Sequence, residues 1–269
     1  MWYKYRKSKH FVFVNRILIF HFHPLRNFAE NGVSIKTNPF HSKILSSMKL
    51  TKAFFALLLC SAFTLQFAHA QWGKGIKGEG PIVKKEISLS AIEGIGLGIS
   101  GTVYLTQGSS QKIEIEAQQN IIDNIKQEVK NGSWSINYHK NVNGHDGVKI
   151  YVTLPNVKSL SIGGSGKILG QNSFNNLGNL ALSIGGSGMI ELAGNAQNVK
   201  VSIGGSGSVK AGKLKTETCE VSIGGSGDCY VEVSESLKAS VAGSGDVYYK
   251  GRPKVRSSIA GSGRVESMD

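Results

Sequence analysis

One six-residue string limits what this chain can fold into more than any other feature. Ser-Ile-Gly-Gly-Ser-Gly occurs at 161–166, 183–188, 202–207 and 222–227, and returns as Ser-Val-Ala-Gly-Ser-Gly at 240–245 and Ser-Ile-Ala-Gly-Ser-Gly at 258–263. The first Gly or Ala of each copy falls at 163, 185, 204, 224, 242 and 260, so the chain repeats every 18–22 residues. A sustained period of that length marks a stacked repeat architecture, in which each unit buries its apolar face only against its neighbours.

Aligning the copies gives columns. Ile162, Ile184, Ile203, Ile223, Val241 and Ile259 precede the glycines, and Leu160, Leu182, Val201, Val221, Ala239 and Ser257 stand two residues earlier. Beyond the glycines come Ile168, Ile190, Val209, Cys229, Val247 and Val265, and between the first two columns every copy has Ser. Apolar and polar positions alternate with a period of two, so these segments are strands with one face buried. The Gly-rich string supplies a corner, where Gly tolerates positive φ and close backbone approach. Stacked rungs about 4.8 Å apart would place like residues above like. A propeller blade needs roughly 40 residues, and leucine-rich repeats need a Leu/Asn consensus that is missing. The expected fold is therefore all-β, a parallel β-helix (β-solenoid) with 18–22-residue Gly-Ser-Gly rungs. Right-handedness is the commoner hand for such crossovers.

The domain reading follows. Residues 156–269 hold the regular repeats and 85–155 form less regular N-terminal rungs, with strands expected at Ile82–Leu89, Gly101–Gln107, Lys112–Ala117, Ser133–Tyr138 and Val148–Leu154. Ile121, Ile122, Ile125 and Val129 have the spacing of a short helical turn within Gln119–Lys130. Residues 71–84 read as a linker. Met48-Lys49-Leu50-Thr51-Lys52, the apolar run Ala53–Phe67 and Ala68-His69-Ala70 have the three-part form of a signal peptide at 48–70, with cleavage after Ala70. The run is short of the roughly 20 residues of a membrane span. Leu59 before Cys60 disfavours a lipid-modified cysteine. Residues 1–47 read as a spurious upstream extension or as disordered. The exported chain is then expected in the periplasm, at the cell surface or outside the cell, with no transmembrane helix.

Charge supports this division. The formal net charge is +13, but residues 1–47 hold eight Lys/Arg against one acid, and from Gln71 onward 21 Lys/Arg face 17 Asp/Glu. The basicity lies mostly in the leader, so it does not signal a nucleic-acid partner. Cys219 and Cys229 can form a disulfide in an oxidising compartment. Both occupy columns that other repeats fill with aliphatic residues, so small buried hydrophobes is the favoured role.

Catalytic patterns are weak. Gly96-Leu97-Gly98-Ile99-Ser100-Gly101 spells G-x-G-x-x-G, but Val103-Tyr104-Leu105 reads as strand where a dinucleotide site needs a helix. The Gly-Gly-Ser-Gly strings lack the Lys-Ser/Thr sequel of a phosphate loop and are not nucleophile elbows. His139, His145 and Asp146 sit among Asn141, Asn143 and Gly144, a polar loop rather than a metal set. Asn131-Gly132-Ser133 reads as a turn. No catalytic residue, metal ligand or cofactor is assigned.

The order of segments resembles a known family. Ile92-Glu93-Gly94-Ile95 and Val103–Gly108 come first, then Ile113–Ala117, Asn131–Ile136, Val152-Thr153-Leu154-Pro155 and the Gly-Ser-Gly repeats. Over about residues 85–265 this is similar to the putative auto-transporter adhesin, head GIN domain family of secreted bacterial proteins. The resemblance implies a right-handed β-helix and a cell-envelope or extracellular home.

One constellation can bind a ligand. Lys167, Met189, Ser208, Asp228, Asp246 and Arg264 follow each Gly-Ser-Gly, and Leu169, Glu191, Lys210, Tyr230, Tyr248 and Glu266 stand two residues on. These positions flank a buried column and should face outward. Stacking would set Asp228 beside Asp246 and Tyr230 beside Tyr248, with Arg264 next. Tyr rings with carboxylates suit a sugar or Ca²⁺, and the same residues suit an ordinary exposed ladder. The functional expectation is a non-catalytic adhesin binding glycan or protein. The alternatives are a polysaccharide-cleaving β-helix enzyme, whose paired carboxyls would sit about 5–9.5 Å apart, and a purely structural envelope component. Self-association at the C-terminal rung is expected from an uncovered edge.

Overall fold

A computed structural model describes residues 75–269. The expectations for 1–47 and for a signal peptide at 48–70 lie outside the described residues. The chain forms a β-solenoid of about five turns. Its strands are β1 (Ile76–Lys77), β2 (Ile82–Ile87), β3 (Gly94–Leu97), β4 (Thr102–Gln107), β5 (Lys112–Gln118), β6 (Val129–Lys130), β7 (Ser133–Ile136), β8 (Val142–Gly144), β9 (Lys149–Leu154) and β10 (Ser159–Ile162). The regular rungs follow as β11 (Lys167–Ile184), β12 (Met189–Ile203), β13 (Ser208–Ile223), β14 (Asp228–Gly243), β15 (Val247–Lys250), β16 (Lys254–Gly261) and β17 (Val265–Ser267). The single helix among the described residues, α1 (Gln119–Asp123), buries Ile121 and Ile122.

Up to β14 each regular rung is one long strand rather than two or three short ones, and the next is split into β15 and β16. β11, β12, β13 and β14 each run from one Gly-Ser-Gly corner to the next, and register shifts mark the bends between. Pairing is parallel and in register through the columns, as in Ile184↔Ile203, Ile203↔Ile223 and Ile223↔Val241. These side chains are buried as the alternation requires, together with Ile168, Ile190, Val209, Cys229 and Val247 beyond the corners. In the last rung Val255 is 38% and Ile259 44% exposed, and the column that begins at Leu160 ends on Ser257.

The corners explain their own composition. From the second corner on, a Cβ on the second Gly would press on the backbone of the rung below; at Gly186, Gly205 and Gly225 it would come 2.4 Å from a carbonyl oxygen. A Cβ on the first Gly meets nothing closer than 3.9 Å at Gly185, Gly204 and Gly224. Ala242 and Ala260 occupy this permissive position in the last two copies.

The N-terminal block departs from the repeat. Its rungs are stacked out of sequence order: β10 pairs with β3, and β3 with β7, while β11 pairs with β4, and β4 with β9. The rung formed by β7 and β9 therefore lies outside the earlier rung formed by β3 and β4. Beyond it the chain reverses, with β5 antiparallel to β9, β2 to β5 and β6 to β7. The segment 71–84, read as a linker, contains β1, paired with β8, and the start of β2. The G-x-G-x-x-G string forms the end of β3 and the turn into β4, where a Cβ on Gly98 would collide with Asn137. Trp134, fully buried, donates its indole N–H to the Lys126 carbonyl at 2.8 Å.

Cys219 and Cys229 are free and buried. Cys219 stacks between Val199 and Leu237, and Cys229 between Val209 and Val247. Burial pushes the Cys219 thiol up to about 12, so it packs as a small hydrophobe. Among the described residues no helix is long and apolar enough to cross a membrane.

Candidate functional site

Past each corner the strand alternates between core and solvent, so Cys229, Val231 and Val247 point inward while Asp228, Tyr230, Asp246 and Tyr248 point out. β14 and β15 pair Tyr230 directly with Tyr248, and the two rings stack with centroids 4.9 Å apart and planes 15° from parallel. A short parallel ladder imposes this contact because equivalent side chains sit one rung apart.

Asp228 and Asp246 act on the backbone as well as on side chains. Asp228 Oδ1 accepts the Asp246 amide at 3.3 Å, and Asp246 Oδ1 accepts the Arg264 amide at 2.9 Å. Each aspartate thus closes the corner of the following rung. Asp246 Oδ2 accepts both the Arg264 guanidinium and the Tyr248 hydroxyl at 3.0 Å. Arg264 also meets Glu266 at 3.5 Å. The Arg264 guanidinium, with the Tyr248 hydroxyl, holds the Asp246 carboxyl below its ordinary range. The same hydrogen bond to Asp246 raises the Tyr248 hydroxyl. The structure therefore brings Asp228, Tyr230, Asp246, Tyr248 and Arg264 together on one outward surface.

A groove of about 720 Å³ runs beside this cluster, with Tyr230, Lys210, Glu191 and Lys250 on its walls. It is open because Gly212 has no side chain beside Tyr230 and Ala193 only a methyl, where the strands shift register at a bend. Its lining joins an aromatic ring to amide and charged groups.

A second tyrosine stack was missed by the sequence reading. Tyr104 and Tyr151 pair across β4 and β9, with centroids 5.2 Å apart and planes 16° from parallel. The Tyr151 hydroxyl donates to Glu116 at 3.0 Å, Lys149 reaches the same carboxylate at 2.8 Å, and Lys84 lies 4.4 Å from the ring centroid. Lys149, then Tyr151, lowers the Glu116 carboxyl. No repeat spacing links residues 104 and 151, and only the out-of-order stacking brings them together.

Asp146 and His145, considered for a metal, are engaged otherwise. Asp146 accepts from the Gln118 amide at 2.9 Å, and His145 Nδ1 accepts the Gly147 N–H at 2.9 Å. Among the described residues no group of three or more His, Cys, Asp or Glu side chains converges as a metal site would.

Residues 92–253 match the family described as putative auto-transporter adhesin, head GIN domain. Among solved structures the chain is similar to a putative adhesin from Bacteroides fragilis, at 25% identity over 72% of this chain and 100% of that one, with a TM-score of 0.60. It shares its fold with a putative lipid binding protein from Parabacteroides distasonis, at 22% identity over 72% of this chain and 99% of that one, with a TM-score of 0.50. No curated protein matches the chain.

Proposed function

The chain belongs to the putative auto-transporter adhesin, head GIN domain family, and from that premise we propose that it is an exported, non-catalytic surface protein that binds glycan at the face carrying Tyr230 and Tyr248. The observation that carries this reading is the stacked tyrosine pair, with its carboxylate and guanidinium, beside an open polar groove. Sugars present both apolar C–H faces and hydroxyls, and aromatic side chains with fixed acceptors and donors complement both. The signal-like segment at 48–70 would place this face outside the cytoplasm.

The state of Asp246 favours binding over cleavage. A general acid must hold its proton near the working pH, whereas Arg264 keeps this carboxyl ionised. Both aspartates already accept backbone amides of the next rung. Self-association is a second reading, favoured by the exposed Val255 and Ile259. Lys254 and Arg256 on the same strand oppose it, since charged edges discourage strand pairing.

The test is incubation of the purified protein with soluble and insoluble polysaccharides, scoring retention and new chain ends together. Retention without cleavage, lost in a Tyr230→Ala/Tyr248→Ala variant, is the expected result. Cleavage abolished by Asp228→Asn would make the protein an enzyme. Loss of neither signal in the variants would leave the tyrosine face without a role.

A further inference from the structure

The two tyrosine stacks lie on one line. Tyr151 pairs with Tyr104, and Tyr104 with Leu169. Through Glu191 and Lys210 the same outward column arrives at Tyr230 and Tyr248. Glu114 borders the first stack and Glu266 the second. In each stack one tyrosine hydroxyl donates to a carboxylate, Glu116 or Asp246, which in turn pairs with a cation, Lys149 or Arg264. Between the stacks only half-buried Leu169 and the exposed Glu191 and Lys210 intervene. At about 4.8 Å per rung, Tyr104 and Tyr230 are four steps and about 19 Å apart.

We propose that Tyr104 and Tyr151 form a second subsite and that the ligand is an extended, neutral polysaccharide strand lying along the stacking axis across both tyrosine pairs. This rests on the glycan reading above and adds to it the shape and charge of the ligand. Neutrality follows from the charges at the two stacks, which are matched locally: Glu116 by Lys149, Glu114 by Lys84 and Lys112, and Asp246 by Arg264, while Glu191 and Lys210 between the stacks are neighbours of opposite sign. An ionic polymer would have to break these pairs. Extension follows from the in-register column, which repeats the aromatic arrangement at two levels with Leu169, Glu191 and Lys210 between them. Two weak subsites on one rigid support act on one chain as a multivalent pair, so affinity should depend on the length of the ligand.

The experiment measures binding of size-fractionated neutral β-glucan and xylan to the protein, from disaccharides to chains long enough to span both stacks. The spanning chains should bind at least about tenfold more tightly than the short ones. The Tyr104→Ala/Tyr151→Ala variant should lose that increment and keep the short-chain affinity. Hydrogen exchange on the unaltered protein supplies a readout independent of variants. Long chains should protect amides of β4, β9, β14 and β15 together, and short chains should protect only one pair of strands. Affinity independent of chain length, or protection confined to β14 and β15 with every ligand, would overturn the two-subsite proposal and leave the glycan reading standing. Tight retention of charged polysaccharides alone, or of protein ligands alone, would overturn it as well. No retention of any glycan would overturn both.

Discussion

The regular rungs and the N-terminal block solve the same problem by different means. From β10 onward each rung presents the next with a near copy of itself, so small and aliphatic side chains stack in columns and backbone meets backbone at the glycine corners. The block before it has no rung below to copy. It closes the stack with antiparallel β2, β5 and β6, a helical turn and bulky buried groups, Trp134 with Ile121, Ile122 and Ile125. A repeat propagates by identity, whereas an end must be covered by something unlike it. At the opposite edge of the described residues β16 carries Lys254 and Arg256, and Arg264 precedes β17, charges that discourage strand pairing.

That contrast is broken most severely at Trp134. Trp134→Ala removes a fully buried ring and the indole donor to Lys126. A loss of about 3–5 kcal/mol is expected in denaturant unfolding. Because solenoid rungs couple mainly to their neighbours, the exchange protection of β13 and β14 should survive while that of β3, β7 and β10 falls. Uniform loss along the whole chain would show that the block and the repeats unfold as one unit.

Two adjacent glycines test whether the repeat is fixed by backbone contact. Gly205→Ala would set a Cβ 2.4 Å from the Gly186 carbonyl oxygen, and the rungs must part or the corner must distort, costing about 1–3 kcal/mol. Gly204→Ala meets only the Ile184 carbonyl at 3.9 Å. It should be neutral, or stabilising by about 0.4–1 kcal/mol through a less flexible unfolded chain. Equal effects in thermal unfolding would refute the account of why Ala242 and Ala260 appear at the first corner position.

The same asymmetry decides how much could be read from residues alone. The rung period, the buried columns and the Asp228, Tyr230, Asp246, Tyr248 and Arg264 surface were legible, because parallel in-register pairing turns sequence spacing into spatial neighbours. Strands such as β4 and β9 were legible as elements from their alternation, but their partners were not. Pairing Tyr104 with Tyr151 requires the rung at 133–154 to lie outside the rung at 94–107, and no local pattern encodes that order. β3 was obscured by its glycines, which are needed there because a Cβ on Gly94 would strike Ser159 and Ser133. Within the segment read as a linker, β1 was not legible because Ile76–Lys77 is too short a strand to show periodicity.

A smaller effect compares the two tyrosine stacks. Tyr151→Phe and Tyr248→Phe each delete one hydroxyl that donates to a carboxylate while leaving the stack in place. Each should cost about 1 kcal/mol or less in stability. If the stacks are equivalent parts of one surface, the two changes should weaken glycan retention by similar factors. A change confined to Tyr248→Phe would separate them.

Acid should distinguish the two regions most gently. Lys84 and Lys112 lower the Glu114 carboxyl, Lys149 and Tyr151 lower that of Glu116, and Gln119 and Lys85 lower that of Asp123. In the repeats, Lys238 and Lys200 lower Glu220, and Arg264 lowers Asp246. A carboxylate depressed in the folded state adds stability that is present above its unfolded value, near 4, and is lost as pH falls through the folded one. The block concentrates three such groups on the β2–β5–β9 ribbon and α1, while the repeats spread theirs over separate rungs. Lowering the pH from about 5 toward about 2 should therefore loosen the antiparallel ribbon first, seen as faster exchange in β2 and β5 while β12 and β13 stay protected. These pairs are exposed, so added salt should shrink the difference. If the corners of β14 and β15 opened first instead, the aspartates bridging successive rungs would be the weaker joint, and the repeat rather than its cover would set the acid limit of the fold.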